Sequence, residues 1–162
     1  MMTVAKRTPK YVAKARSLIE SSANKPTVKR CNVLAVLLST TKPLSAYELT
    51  DRYNKRYTES IIAASVYRIL DWLTQAGVAY RLNILNKFIA CQQRPSTQQL
   101  SIFIVCKNCQ KTIQKRAPNT LVHPIYERVS EANYCDILPH IELTGVCEQC
   151  AHISHQKENV IE

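Results

Sequence analysis

Two pairs of cysteines, Cys106-Lys107-Asn108-Cys109 and Cys147-Glu148-Gln149-Cys150, stand 37 residues apart. A tight turn presents both sulfurs of a Cys-x-x-Cys unit to one ion. Two such units supply the four thiolates of a tetrahedral zinc site, with zinc–sulfur bonds of about 2.3 Å. Four thiolates leave no open coordination position, so the spacing predicts one structural zinc per chain. Metal binding there is expected to be linked to folding of the C-terminal part. Pairing the same cysteines as disulfides would need an oxidising compartment. Nothing marks the chain as secreted, because Met1–Lys14 is basic and no apolar stretch of the signal-peptide kind follows. The expected location is the cytoplasm.

Catalytic chemistry finds little footing. A zinc enzyme needs an open metal position with a base beside it, such as His-Glu-x-x-His, and the chain has no such motif. Its only glycines are Gly77 and Gly145, which rules out a glycine-rich phosphate loop. No apolar run approaches the ~20 residues that span a bilayer, so no membrane partner is expected.

Charge points to a polyanion. Among 162 residues the formal net charge is +10. Residues 1–95 carry 16 Lys and Arg against 5 Asp and Glu, a net of +11, whereas residues 96–162 carry 6 against 7, a net of −1. A basic half joined to a near-neutral half suggests nucleic-acid binding in the first and another task in the second.

The elements that would position these groups follow from periodicity and caps. Residues 9–24 read as a basic amphipathic helix ended by Asn24-Lys25-Pro26. Thr27 caps a second helix with Val33, Leu34, Val36, Leu37 and Leu38 on its apolar face. Ser45 with Glu48 forms a capping box for a third, 46–54. Ser60 is expected to cap a fourth, 61–76, with Ile62, Val66, Ile69, Leu70 and Leu73 facing inward, and Gly77 to stop it. Residues 78–82 and 87–91 then read as two strands around a turn at 83–86. Helices followed by a hairpin make a winged helix-turn-helix, whose fourth helix would enter the major groove. Residues 92–100 read as a polar hinge. In 101–162, strands at 101–105, 111–114 and 141–146 and a helix at 121–133 make a small α+β unit stapled by zinc. The overall expectation is an α+β chain: a winged-helix domain at 1–91, the hinge, and a zinc-containing domain at 101–162.

The ordered set Leu44-Ser45-Ala46-Tyr47-Glu48-Leu49, Ser65-Val66-Tyr67-Arg68-Ile69-Leu70-Asp71-Trp72-Leu73 and Ala76-Gly77-Val78 resembles the ferric uptake regulator family. The stretch Leu85–Cys91, the two cysteine pairs and Ile141–Cys147 make it most similar to that family's zinc uptake branch. The resemblance covers about residues 8–150. It implies a homodimeric repressor-type transcription factor that binds palindromic double-stranded DNA through its N-terminal domain and dimerises through its C-terminal domain. It also implies zinc held by the four cysteines. By this likeness Tyr47 and Arg68 match base-contacting residues, and Ser65 and Tyr67 lie on the recognition helix. The chemistry agrees, since Arg can fork onto guanine O6 and N7 and Tyr can reach a base edge or phosphate.

The same resemblance assigns a regulatory metal site near the hinge, and here the chain departs from it. The positions of a wing His, a wing Cys, a hinge His and a Glu fall on Tyr80, Cys91, Gln99 and Gln114. Only Cys91 remains a good zinc donor. A further family His falls on Pro139, next to His140. The expectation is an altered or lost metal sensor and no tight second metal. The remaining candidates for a second site are Cys91, His123 and His140, with His152 and His155 in a polar tail. Cys31 and Cys135 read as small buried apolar residues, and Cys91 as a candidate redox switch. A competing reading is a zinc-ribbon nucleic-acid module without metal-responsive regulation, which would share the basic half but would not need a winged helix.

Overall fold

The computed structural model describes residues 8–91, 100–134 and 140–152. The chain divides into two compact units, Met1–Arg94 and Pro95–Glu162. No helix among the described residues is long and apolar enough to cross a membrane.

The first unit is built around one helix. Helix α1 spans Thr8–Glu20, α2 Val28–Leu38, α3 Ala46–Arg56 and α4 Ala63–Gln75. From Cys31 to Leu38 every residue of α2 is buried, Asn32 included. The sequence predicts one apolar face, and the structure surrounds the helix instead. Ala15 and Ile19 of α1, Leu49 and Tyr53 of α3, and Val66, Leu70 and Leu73 of α4 join it in one core. Burying such residues contributes roughly 1.5–3 kcal/mol for each large aliphatic side chain, offset by the entropy of ordering the chain.

Local chemistry sets the ends of these helices. The Thr27 side chain accepts from the Arg30 amide at the start of α2. At α3 the capping box is complete: the Ser45 hydroxyl accepts from the Glu48 amide at 3.2 Å, and Glu48 Oε2 accepts from the Ser45 amide at 2.7 Å. Gly77 ends α4 at φ 71°, the left-handed conformation that glycine adopts without strain.

The start of α4 differs from expectation. The helix begins at Ala63, not Ile61; Ile62 is its N-cap, and no side chain caps it. Ser60 does not cap the helix because Ile62, extended at φ −94° and ψ 154°, takes that position. Asn54 of α3 reaches across to fix this entry, donating from Nδ2 to the Ile61 carbonyl at 3.0 Å and accepting at Oδ1 from the Ile61 amide at 2.8 Å. Ile61 is thereby buried, and Ile62, expected to face inward, is 69% exposed.

Strands β1 (Ala79–Leu82) and β2 (Lys87–Ala90) pair antiparallel as the wing, with Asn86 in the left-handed region at φ 51° in the turn. Leu44 bridges to Phe88, exchanging both backbone hydrogen bonds at 2.9 and 2.7 Å. Lys87 Nζ meets Glu48 Oε1 at 3.1 Å. The wing is thus tied directly to the N-terminus of α3.

The second unit has a three-stranded sheet in the order β4-β3-β5, from β3 (Ser101–Cys106), β4 (Thr112–Arg116) and β5 (His140–Gly145). The β3–β4 pair is antiparallel and the β3–β5 pair parallel. Helix α5 (Asn119–Glu131) makes the connection between β4 and β5 on one side. Leu100, Ala117 and Val122 form a small core with Ile102, Ile125, Tyr126 and Ile141. Most of the hinge read at 92–100, together with Cys135 and His155, lies outside the described residues. Cys31 is fully buried, as expected of a small apolar residue.

Candidate metal centre and DNA-reading face

The parallel pairing of β3 with β5 aligns Cys106 with Gly145, so both strands deliver a cysteine unit to the same end of the sheet. After β3 the chain turns back on itself. The Gln110 amide donates to the Cys106 carbonyl, the Cys106 amide donates to the Lys111 carbonyl, and Gln110 sits at φ 61°. After β5, the Cys150 and Ala151 amides donate to the Cys147 carbonyl in a helical turn. The Lys107 amide donates to the Gly145 carbonyl at 2.9 Å, linking the two turns.

The sulfurs of Cys106, Cys109, Cys147 and Cys150 lie within 4.8 Å of one another, and those of Cys109 and Cys147 are 3.7 Å apart. A tetrahedron with zinc–sulfur bonds of about 2.3 Å has sulfur–sulfur edges of about 3.8 Å. The donor set therefore fits zinc. Left to one another, the sulfurs cannot all ionise. The amide of Cys109, followed by that of Cys147, pulls the Cys106 thiol down to about 6, and a hydrogen bond shared with Cys147 pushes Cys150 up to about 12.

The residues assigned to regulation are divided between the two units. Among the described residues the four cysteines are the one cluster of metal-capable side chains. The candidate second site draws Cys91 from the first unit and His123 and His140 from the second, and each is described in its own unit. Cys91 is buried at the end of the wing, its amide donating to the Val78 carbonyl, and burial pushes its thiol up to about 12. His123 is exposed on α5, 3.3 Å from Glu127. His140 begins β5, where burial holds its imidazole below the usual range, partly opposed by Glu142. His152 lies 3.8 Å from Glu148 in the last helical turn. Tyr80 is buried in β1 opposite Ile89, and Gln114 in β4 donates to Ser101 Oγ at 3.3 Å. Gln99 and Pro139 lie outside the described residues.

The other candidates form a face on the first unit. Tyr47 near the start of α3 is 69% exposed, and Tyr67 on α4 is 42% exposed. Their rings meet edge to face, with centroids 6.2 Å apart and planes at 85°. Such pairs contribute roughly 0.5–1.5 kcal/mol beyond area burial. They hold two phenols outward in fixed orientation. Arg68, the next residue along α4, is exposed, and no ion pair engages it among the described residues. Ser65 is half-buried in the first turn, its amide donating to the Ile62 carbonyl. Sequence reasoning missed Asn54, Lys87 and Arg30, whose guanidinium lies 3.7 Å over the Trp72 ring on α4. Their partners are 7 to 42 residues away in sequence, so no local pattern announces them.

Comparison with known proteins gives a consistent picture. The model of the ferric uptake regulator family matches residues 21–140. The zinc uptake regulation protein of Escherichia coli strain K12 is 22% identical over 148 residues, which span 90% of this chain and 84% of that protein. The crystal structure of holo XcZur superposes with a TM-score of 0.75 at 26% identity, covering 88% of this chain and 98% of its own. A zinc uptake regulator complexed with zinc and DNA shares the fold at a TM-score of 0.75 and 21% identity, covering 95% of this chain and 99% of its own.

Proposed function

The chain belongs to the ferric uptake regulator family of transcriptional regulators, and on that premise we propose that it is a homodimeric, sequence-specific DNA-binding repressor with a structural zinc and a lost hinge sensor. The observation that carries the reading is the outward face of α3 and α4, where Tyr47 and Tyr67 are locked edge to face beside an exposed Arg68.

The basic first unit attracts phosphate without regard to sequence, an attraction that weakens as salt rises. Helix α4 enters the major groove, where the Arg68 fork matches guanine O6 and N7 and Ser65 lies in the turn nearest the base edges. Tyr47 and Tyr67 bring hydroxyls to base edges or phosphate. The capping box and the Glu48–Lys87 pair keep Tyr47 and the wing in one register. Two chains related by a two-fold axis read a palindrome, and the second unit supplies the contact between them.

Zinc would be held by Cys106, Cys109, Cys147 and Cys150, where it supplies a closed cross-link and no reactive position. The four residues themselves set the end of the sheet by aligning β3 and β5. What supports a lost sensor is the use made of its positions. Tyr80 and Cys91 are buried, and Gln114 donates to Ser101 Oγ.

Three measurements test this. Selection from a random duplex pool should return a two-fold palindrome; an unstructured or single half-site preference would refute the dimeric reader. Metal content of native, tag-free protein should be one zinc per chain, with operator affinity unmoved by added zinc or mild chelation. Two metals per chain, with DNA binding lost on removing the weaker one, would overturn the lost sensor. Cys150→Ser should unfold the second unit and abolish dimeric binding.

A further inference from the structure

Ile62 is a large aliphatic side chain left 69% exposed at the start of the helix read above as the DNA-reading one. Its position carries two costs. An exposed isoleucine gains nothing from burial, and an N-cap without a polar side chain forgoes roughly 1 kcal/mol of helix stability. The exposure is built in. Asn54 grips the backbone of Ile61 from both sides, so Ile61 (5% exposed) points into the core and the next residue must point out. Ile62 holds an extended conformation, φ −94° and ψ 154°, before the first turn of α4. The exposed residue that follows in that turn is the small Ala64, which offers little to screen it from an approaching duplex.

We propose that Ile62 is a specificity-determining residue that reads the C5-methyl group of one thymine in each half-site. The inference rests on the reading of α4 as the recognition helix. Residues at the N-terminus of such a helix lie closest to the base edges. An isoleucine has no donor or acceptor, so it cannot take part in hydrogen-bond readout. The thymine methyl is the one apolar group on the major-groove edges of the four bases. Contact removes both apolar surfaces from water and sets A·T against the other pairs at a position that Arg68 and the tyrosines do not read.

The experiment replaces each thymine of the selected operator in turn by deoxyuridine, which deletes the methyl and nothing else. Affinity is measured by fluorescence anisotropy with the full chain. At one position the wild type should weaken roughly three- to fivefold per half-site, the size expected for burying one methyl-sized group. Ile62→Ala should bind more weakly to the thymine operator and be indifferent to the methyl at that position. Ile62→Val should retain part of the discrimination. Because Ile62 is exposed, the variants should melt with the wild type. A flat deoxyuridine scan with the wild type overturns the proposal, as does a sensitive position that stays sensitive in Ile62→Ala. A random pool that yields no enriched sequence overturns instead the reading of the chain as a DNA regulator, and this inference falls with it.

Discussion

Replacing Asn54 by Ala removes both hydrogen bonds that hold the backbone of residue 61 ahead of α4. Each such bond contributes roughly 1 kcal/mol net, and Ile61 is buried, so its freed amide and carbonyl are poorly placed to find water. Two effects run the other way. Alanine favours the helix interior over asparagine by roughly 0.5–0.7 kcal/mol, and Asn54 itself is exposed, which lets solvent reach part of the gap. The balance is a loss of about 1 kcal/mol, or about 4–8 °C in the melting temperature of a unit this size. Thermal unfolding followed by circular dichroism reads it directly. Lys55→Ala is the control, because it removes only an exposed pair with Asp51 and should move the midpoint by a few tenths of a kcal/mol at most. In the same variant operator discrimination should fall more than nonspecific DNA affinity, since the entry to α4 is loosened and no positive charge is lost. An Asn54→Ala protein that melts at or above the wild type would refute the clamp.

Three further outcomes follow from the same geometry. Arg68→Ala should cost roughly 1–3 kcal/mol in operator binding and relax preference at one base position, and an unchanged selected sequence would count against its role. Glu48 is held below its usual 4.5 by the Ser45 amide, against an opposing contribution from burial, with Lys87 adding to the lowering. Its contribution to stability is therefore present above about 4.5 and lost as pH falls through the lower folded value, so Glu48→Gln should flatten that acid limb in a pH series of melts. Cys91, buried and with its thiol at about 12, should stay unlabelled by thiol reagents in the native protein at neutral pH; fast labelling there would revive a redox role.

Features that depend on near neighbours in sequence were readable in advance. The capping box at Ser45 and Glu48, the left-handed stop at Gly77 and the turn through Asn86 each need only four or five residues. The two cysteine units are of the same kind, because each turn presents its own pair. The departures at α2 and α4 arose at distance. Ser60 has the right chemistry for an N-cap, but Asn54, six residues earlier, fixes the backbone and moves the start of α4. Ile62 fits an inward helical position by period alone and is displaced by the same contact. Helix α2 shows an apolar face in sequence, yet Asn32 on its other side is buried too, since α1, α3 and α4 surround it. The apolar spacing predicts α5 from residue 121, whereas the helix begins two residues sooner at Asn119, behind the N-cap Pro118.

The junction of β3 and β5 has a consequence for how the second unit can change. With a metal on the four sulfurs, the 37 residues between Cys109 and Cys147 become a ring closed at one point. The entropy of closing such a ring grows only with the logarithm of its length, about 0.6 kcal/mol for each doubling. Insertions or deletions in the stretch that carries β4 and α5 therefore change the closure cost very little. The fixed quantity is the meeting of two strand ends, while the contour between them is free to lengthen, shorten or present new side chains.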